Sequence, residues 1–329
     1  MLPCHVRINM RKFTVTASQD NSHVVKACRE QFPGLKSADL YRALKHKDIR
    51  IDGKKVSNDI AVRAGQEVEV WLPDQLFEGS PSDGASAPKK DKPLYAKVYE
   101  SDRLLIVNKR QGVAVHSGKN TGDINLIDQV RRDLHDPDAD LCHRIDMNTG
   151  GLVMIAKDKQ ALEDAVALFK NNLIIKRYRA LVIGVPDEGE PVICEDDTVM
   201  KEVSAYLEKT ASGSVFIHDV QQPGDLPITS RYRVVNTYGD ISDIEVELVT
   251  GRTHQIRAQF AHMGYPVVGD GLYGRAKNNN IYKAPDGSKV KYQQLFASTL
   301  ILRKIPSDNC HHALSGRRFT LNPDFGVKL

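Results

Sequence analysis

Leu141-Cys142-His143-Arg144-Ile145-Asp146-Met147-Asn148-Thr149-Gly150-Gly151 runs straight into Leu152-Val153-Met154-Ile155. The first part is polar and ends on two glycines, and the second is a short apolar run of buried-strand type. A polar, glycine-ended loop feeding a buried strand is a place where a rigid scaffold presents a carboxylate, here Asp146. The competing reading is a turn in which Asp146 and Thr149 bond only to nearby backbone.

A second polar cluster, Val249-Thr250-Gly251-Arg252-Thr253-His254-Gln255-Ile256-Arg257, sits at a strand-to-helix junction. Upstream, Ile241 to Val249 alternates, with Ile244, Val246 and Leu248 on one face and Asp243, Glu245 and Glu247 on the other. Downstream, Ile256, Phe260 and Met263 repeat with helical spacing, Gly264 follows at the C′ position, and Pro266 lies just beyond. Arg252 and Arg257 fall near the start of that helix, where the dipole favours anions, so each needs a carboxylate partner or a phosphate. His254 reads either as an acid–base group or as a hydrogen-bonded structural residue.

Leu104 to Val107 is a further strand, and Leu162, Ala165, Val166 and Phe169 have helical spacing. Strands dominate without a regular strand–helix alternation, which predicts an α+β fold around a mixed, largely antiparallel sheet. At 329 residues the chain has room for two domains. With 41% hydrophobic and 27% charged residues it is neither collagenous nor disordered, and no apolar run approaches the ~18 residues of a membrane span. The first thirteen residues lack the apolar run of a signal peptide, so the expected location is the cytoplasm, with no membrane partner. The five cysteines are odd in number and lack zinc-ligand spacing, and the adjacent side chains of Cys310-His311-His312 do not converge on one ion. No metal site is expected. The motifs of nucleotide hydrolysis, dinucleotide binding, serine hydrolysis and zinc proteolysis are missing.

From Leu35 to Arg63, eight basic residues face four acids, so this window carries the whole net charge of +4. On charge alone it reads equally as a phosphate-binding surface or a solvated helix face. Its pattern is more specific. Ser37 is a candidate N-cap, Leu40, Ala43 and Leu44 have helical spacing, and Arg42 and Lys45 lie off that face. Ile49-Arg50-Ile51, Asp52-Gly53 and Lys54-Lys55-Val56 read as a hairpin with a type I′ turn, and Glu67 to Trp71 as a closing strand. Residues 76–93, rich in Gly, Ser, Pro and charge, read as a flexible linker between domains at 1–75 and 94–329.

Val24 to Leu72 resembles the S-four-type RNA-binding domain, a small α/β module whose basic helix and hairpin lie against structured RNA. The resemblance puts Arg42, Lys45, Lys47, Arg50, Lys54 and Lys55 on that surface. The two polar clusters resemble the signature motifs of the RluA family of RNA pseudouridine synthases, roughly HRLDxxTSGL and TGRTHQIRxxxxxxGxPxxGDxxYG. Lys176-Arg177-Tyr178-Arg179-Ala180-Leu181-Val182-Ile183-Gly184 resembles the family's K-x-Y-x-A-x-V-x-G strand. Three positions depart from the pattern: Asn108-Lys109-Arg110 near a usual Lys-Pro, Thr149-Gly150-Gly151 for Thr-Ser-Gly, and Leu295-Phe296-Ala297 for Leu-His-Ala.

The resemblance implies isomerisation of uridine to pseudouridine within RNA, without a cofactor. It makes Asp146 the catalytic carboxylate, acting as nucleophile at carbon 1′ or base at carbon 2′. Arg252 is then the buried partner of that carboxylate, so that Arg252→Ala is expected to lower stability. Tyr178 stacks on the target base, while His143 and Arg144 hold the RNA and fill the space the base leaves. The expected substrate is large-subunit ribosomal RNA, with transfer RNA the alternative, and the expected state is a monomer. The rival readings are a non-catalytic RNA-binding assembly factor and an enzyme that cleaves a glycosidic bond with a second carboxylate.

Overall fold

The computed structural model describes residues 8–35, 37–77, 93–117, 125–210, 213–274 and 281–328. The chain divides into two compact units, residues 1–92 and 93–329.

The first unit contains β1 (Ile8–Thr14), α1 (Val24–Gln31), α2 (Ser37–His46), β2 (Ile49–Ile51), β3 (Lys54–Val56), β4 (Glu67–Pro73) and the short α3 (Asp74–Phe77). Its strands form an antiparallel sheet in the order β1-β4-β2-β3. Every second residue of β4 is buried, so Val68, Val70 and Leu72 meet Leu40, Ala43 and Leu44 of α2 in one apolar core. Asp52 and Gly53 both have positive φ, 50° and 73°, as the type I′ turn requires. The expected linker begins too early. Leu76 and Phe77 belong to α3, and Phe77 is buried edge-on against Phe32 with ring centroids 5.2 Å apart. The remainder of the linker up to residue 92 lies outside the described residues.

The second unit begins with β5 (Tyr95–Glu100), β6 (Leu104–Lys109), α4 (Leu126–Leu134), β7 (Asp140–Leu141), β8 (Gly150–Ala156), α5 (Lys159–Lys170) and β9 (Ile174–Ile183). It continues through β10 (Glu190–Ile193), β11 (Val199–Lys209), β12 (Val215–His218), β13 (Leu226–Tyr238), β14 (Ile241–Leu248), α6 (Gln255–His262), β15 (Leu295–Leu302) and β16 (Arg318–Thr320). The strands form one sheet with central order β10-β11-β13-β14-β9-β15-β8-β6-β5. The pairings are antiparallel except that of β15 with β8, so the α+β fold with a mixed, largely antiparallel sheet is what the chain adopts.

β8 is buried at every position because apolar clusters cover both its faces. Val153 and Ile155 enter one, Leu152 and Met154 the other. Its uninterrupted apolar run reflects that burial. α5 is capped by Asp158, which accepts from the Ala161 N–H at 2.9 Å and holds the Arg103 guanidinium at 2.8 and 2.6 Å. α6 ends in a Schellman turn: Gly264 (φ 96°) donates to the Ala261 carbonyl and Tyr265 to that of Phe260.

The polar face of β14 is not a solvent face. Asp243 and Glu247 are buried, Asp243 paired with Arg179, and Glu247 with Arg177 at 2.8 Å and Arg231 at 3.3 Å. Arg177 stands opposite Glu247 in the β9–β14 register, so each charge meets an opposite one across the strands.

One row of the sheet positions the chemistry. Gly151 pairs with Ala297, Ala297 with Tyr178, and Tyr178 with Val246. The row carries the loop before β8, the centre of β9 and the strand leading to α6 into one place. Gly151 (φ 108°) lies so close to the Ala297 backbone that no side chain fits. A Cβ on Gly150 would stand 2.7 Å from two carbons of the Phe296 ring. Two departures from the family pattern therefore compensate each other: the larger ring at 296 fills the space left by the missing side chain at 150. Gly150→Ser is expected to cost about 1–3 kcal/mol by overpacking, and less in a Phe296→Ala background. Equal costs in the two backgrounds, measured by denaturant unfolding, would show that the ring is not the obstacle.

Candidate active site

The loop from β7 to β8 closes by a backbone bond, Thr149 N–H to the Asp146 carbonyl at 3.1 Å. The turn therefore leaves the Asp146 carboxylate free to face a cavity of about 510 Å³. Its wall includes Arg144, Lys176, Tyr178, Arg252 and His254. Lys109 anchors the loop from beneath. Its buried ammonium donates to the carbonyls of Val113 (2.7 Å), Arg110 (3.0 Å) and Met147 (3.0 Å), using all three protons. Burial pushes its pKa down to about 7, and the negative charge of Asp146 opposes that shift.

Asp146 is held by Arg257, on α6. The Arg257 Nη1 donates to Asp146 Oδ2 at 2.8 Å, while Nε and Nη2 grip Asp270 at 2.7 and 3.1 Å. Asp270 is fully buried and also accepts the backbone N–H groups of Leu272 (2.8 Å) and Tyr273 (3.0 Å). Burial alone would raise the Asp270 pKa, but the Arg257 bonds override it and hold the carboxyl below its ordinary value. The Arg257 pKa is raised despite its burial, through Asp270 first and Asp146 second. A cation in the first turn of a helix works against the dipole, and these two carboxylates are its counterweight.

The expected partner, Arg252, does not make this pair. Its side chain is exposed and meets no carboxylate among the described residues, though it lines the same cavity. The reason is local. Gln255 folds back to accept the Arg252 N–H at 3.0 Å, and His254 takes a left-handed backbone (φ 55°), so the chain turns before α6 begins. Arg252 is left outside the turn and Arg257 comes inside. The predicted loss of stability therefore passes from Arg252 to Arg257.

Tyr178 is 7% exposed within the core beside the cavity. Burial first, and then the charge of Asp146, raise its pKa, so it remains a neutral phenol. His143 also departs from expectation. Its Nε2 accepts the Met154 N–H at 3.1 Å and its ring packs on Phe169 at 4.8 Å. Burial, with Lys176 nearby, pushes its pKa down to about 3, so the ring is neutral and fixes the loop to β8 instead of gripping a phosphate. Arg144 is exposed at the cavity, with no side-chain partner among the described residues. The His254 Nδ1 lies 2.9 Å from the Tyr273 hydroxyl and its Nε2 3.8 Å from Asp146, outside hydrogen-bond range.

The six basic residues singled out in the first unit divide. Arg42 pairs with Asp39 at 3.2 Å, and Arg50 lies over the Trp71 ring at 5.0 Å and 3.9 Å from Glu69. Lys45, Lys47, Lys54 and Lys55 are exposed and meet no acid among the described residues. The sequence reading missed Arg257, Asp270 and Lys109 as a connected support for Asp146. A signal for the first was present: an arginine flanked by the core residues Ile256 and Phe260 must be neutralised where it is buried.

Arg257→Met leaves Asp270 buried without its counter-charge and is expected to lose about 3–5 kcal/mol of stability. Arg252→Ala should leave the melting temperature unchanged, and the opposite ranking would reinstate the sequence expectation. Asp270 has a folded pKa below its unfolded value, so its contribution is complete above about pH 4 and disappears as pH falls through the folded value. The gap in melting temperature between wild type and Asp270→Asn is therefore expected to be full at pH 6 and to close in acid. A gap that does not change with pH would contradict an ionised Asp270.

Residues 103–262 match the family model described as RNA pseudouridylate synthase. The chain is 30% identical over 276 residues to ribosomal large subunit pseudouridine synthase C of Vibrio cholerae serotype O1, covering 82% of each chain. It is 29% identical over 265 residues to ribosomal large subunit pseudouridine synthase D of Yersinia pestis, covering 79% of this chain and 75% of the relative. Among solved structures, human RNA pseudouridylate synthase domain containing 1 aligns with a TM-score of 0.53 at 26% identity, over 70% of this chain and 83% of that one. With residues of the three sequence motifs lining one cavity, these matches make the chain a member of the RluA family of RNA pseudouridine synthases, an isomerase acting on uridine in RNA.

Proposed function

We propose that this enzyme converts uridines of large-subunit ribosomal RNA to pseudouridine, with Asp146 as its catalytic carboxylate. The observation that carries the reading is a lone carboxylate facing the cavity and held by a buried arginine. Glycoside cleavage with paired acids needs a second carboxyl group across the bond. Among the described residues Asp146 is the one acid on the cavity wall, and Asp270 is enclosed behind Arg257.

In the reaction the bond from carbon 1′ to nitrogen 1 breaks, the base turns while held, and carbon 5 bonds to the sugar. Carbon 5 then gives up its proton and nitrogen 1 takes one, so the atoms balance without a redox partner or cofactor. Asp146 acts as a carboxylate, as nucleophile at carbon 1′ or base at carbon 2′, and the bond from Arg257 holds it in place. The target uridine leaves its stack to enter the cavity, and Tyr178 supports the extruded base with stacking of about 1–3 kcal/mol. Arg144 and Arg252, exposed and without an acid partner among the described residues, are available to the RNA strand. The substrate class follows the relatives, two of which are named for the large ribosomal subunit.

The first unit is read as the S-four-type module, which brings Lys45, Lys47, Lys54 and Lys55 to RNA, with Arg42 and Arg50 beside them. The chain works as a monomer in the cytoplasm, where its RNA is.

Pseudouridine mapping of total RNA from cells lacking the gene, rescued with wild type or Asp146→Asn, tests the reading. Specific large-subunit positions should lose the mark and regain it only with wild type. Changes confined to transfer RNA would overturn the substrate class, and rescue by Asp146→Asn would overturn the catalytic assignment.

A further inference from the structure

Lys176 is a mostly buried cation without a counter-ion among the described residues. It stands on β9 two residues before Tyr178, and strand alternation turns both toward the cavity they line. Arg177 and Arg179, between and beyond them, are held in ion pairs with Glu247, Asp196 and Asp243. Lys176 has no such partner: among the described residues no carboxylate or carbonyl meets its ammonium. The ammonium lies 5.9 Å from the centre of the Phe169 ring and packs onto Gly251, where an added Cβ would approach Nζ to 2.8 Å. His143, beside it, is neutral.

Burial lowers the Lys176 pKa with no nearby carboxylate to offset the effect, whereas Lys109 and Tyr178 both sense Asp146. A buried ammonium left unpaired is costly unless a ligand supplies the anion. A uridine in RNA has a neutral base and a neutral sugar, and its anionic groups are the phosphodiesters on either side.

We propose that Lys176 is a substrate-binding residue that takes one phosphodiester flanking the extruded uridine, in the notch left open by Gly251. The contact anchors the strand in the cavity that Asp146 faces, where the exposed Arg144 and Arg252 share the wall. It differs from the first unit's lysines in being desolvated, where a charge-assisted bond is strongest. The inference depends on the pseudouridine synthase activity and not on which RNA is the substrate.

The test is single-turnover kinetics, with enzyme in excess, on total RNA from cells lacking the gene. Every position that wild type converts is scored, whichever RNA contains it, so a wrong substrate class does not disturb the result. Lys176→Met should raise the half-saturating enzyme concentration at least tenfold and change the maximal rate less than about threefold. It should also reduce the slope of log affinity against log salt by about 0.7–0.9, the loss of one phosphate contact. Lys176→Arg should keep the wild-type slope. Gly251→Ala, which pushes the ammonium aside, should give an intermediate loss of affinity and serves if Lys176→Met fails to fold. A fall in maximal rate with affinity and salt slope unchanged would overturn the proposal and put the ammonium on the reacting base. Wild-type kinetics in Lys176→Met would overturn it as well.

Discussion

One guanidinium organises this active site. Arg257 spans two carboxylates, one facing the cavity and one fully enclosed, and it enters from the first turn of a helix where a cation is otherwise unwelcome. Asp270 neutralises and orients it, and the N–H groups of Leu272 and Tyr273 fix Asp270 in turn. The position of Asp146 is therefore set by charges it does not itself supply. A freely rotating carboxylate would lose much of the orientation that catalysis requires. From the other side, Lys109 ties the same loop to three carbonyls, so Asp146 is fixed both through its side chain and through its backbone.

The sheet is arranged to make this convergence possible. Asp146, Tyr178 and Arg257 come from a loop, a strand and a helix widely separated in sequence. The row Gly151–Ala297–Tyr178–Val246 brings their elements together. The parallel contact of β8 with β15 is short and very close, and it depends on a glycine at 151 for clearance. On β9 the alternation of side chains separates two tasks: Lys176 and Tyr178 face the cavity, while Arg177 and Arg179 lock the sheet through ion pairs with neighbouring acids.

Much of this was legible in the sequence wherever the information is local. The α6 periodicity with its Gly264 cap, the Asp52-Gly53 hairpin and the apolar run of β8 each follow from a few adjacent residues. The glycine-ended loop around Asp146 was legible too, and the family motifs pointed to the carboxylate and to Tyr178. What was not legible depends on direction. Arg252 and Arg257 lie five residues apart at the same helix start, and the apolar neighbours Ile256 and Phe260 hint that Arg257 is buried without telling which arginine reaches Asp146. The left-handed backbone of His254 and the back-folded Gln255 decide it. The alternation of β14 separated its acids from its apolar face but not their burial, because the arginines that cover them lie on the neighbouring strands β9 and β13. Lys109 looked like part of a motif departure because the two loops it joins meet only in the folded chain.

The account stands on the bond between Arg257 and Asp146, and a double-mutant cycle measures that bond most directly. Asp146→Asn, Arg257→Met and the double variant would be compared with wild type by equilibrium unfolding of the catalytic unit's transition. The two substitutions should be strongly non-additive, with a coupling above about 1 kcal/mol that persists in high salt because the arginine is buried. Additive effects would mean that Arg257 serves Asp270 alone and that Asp146 is held by something else.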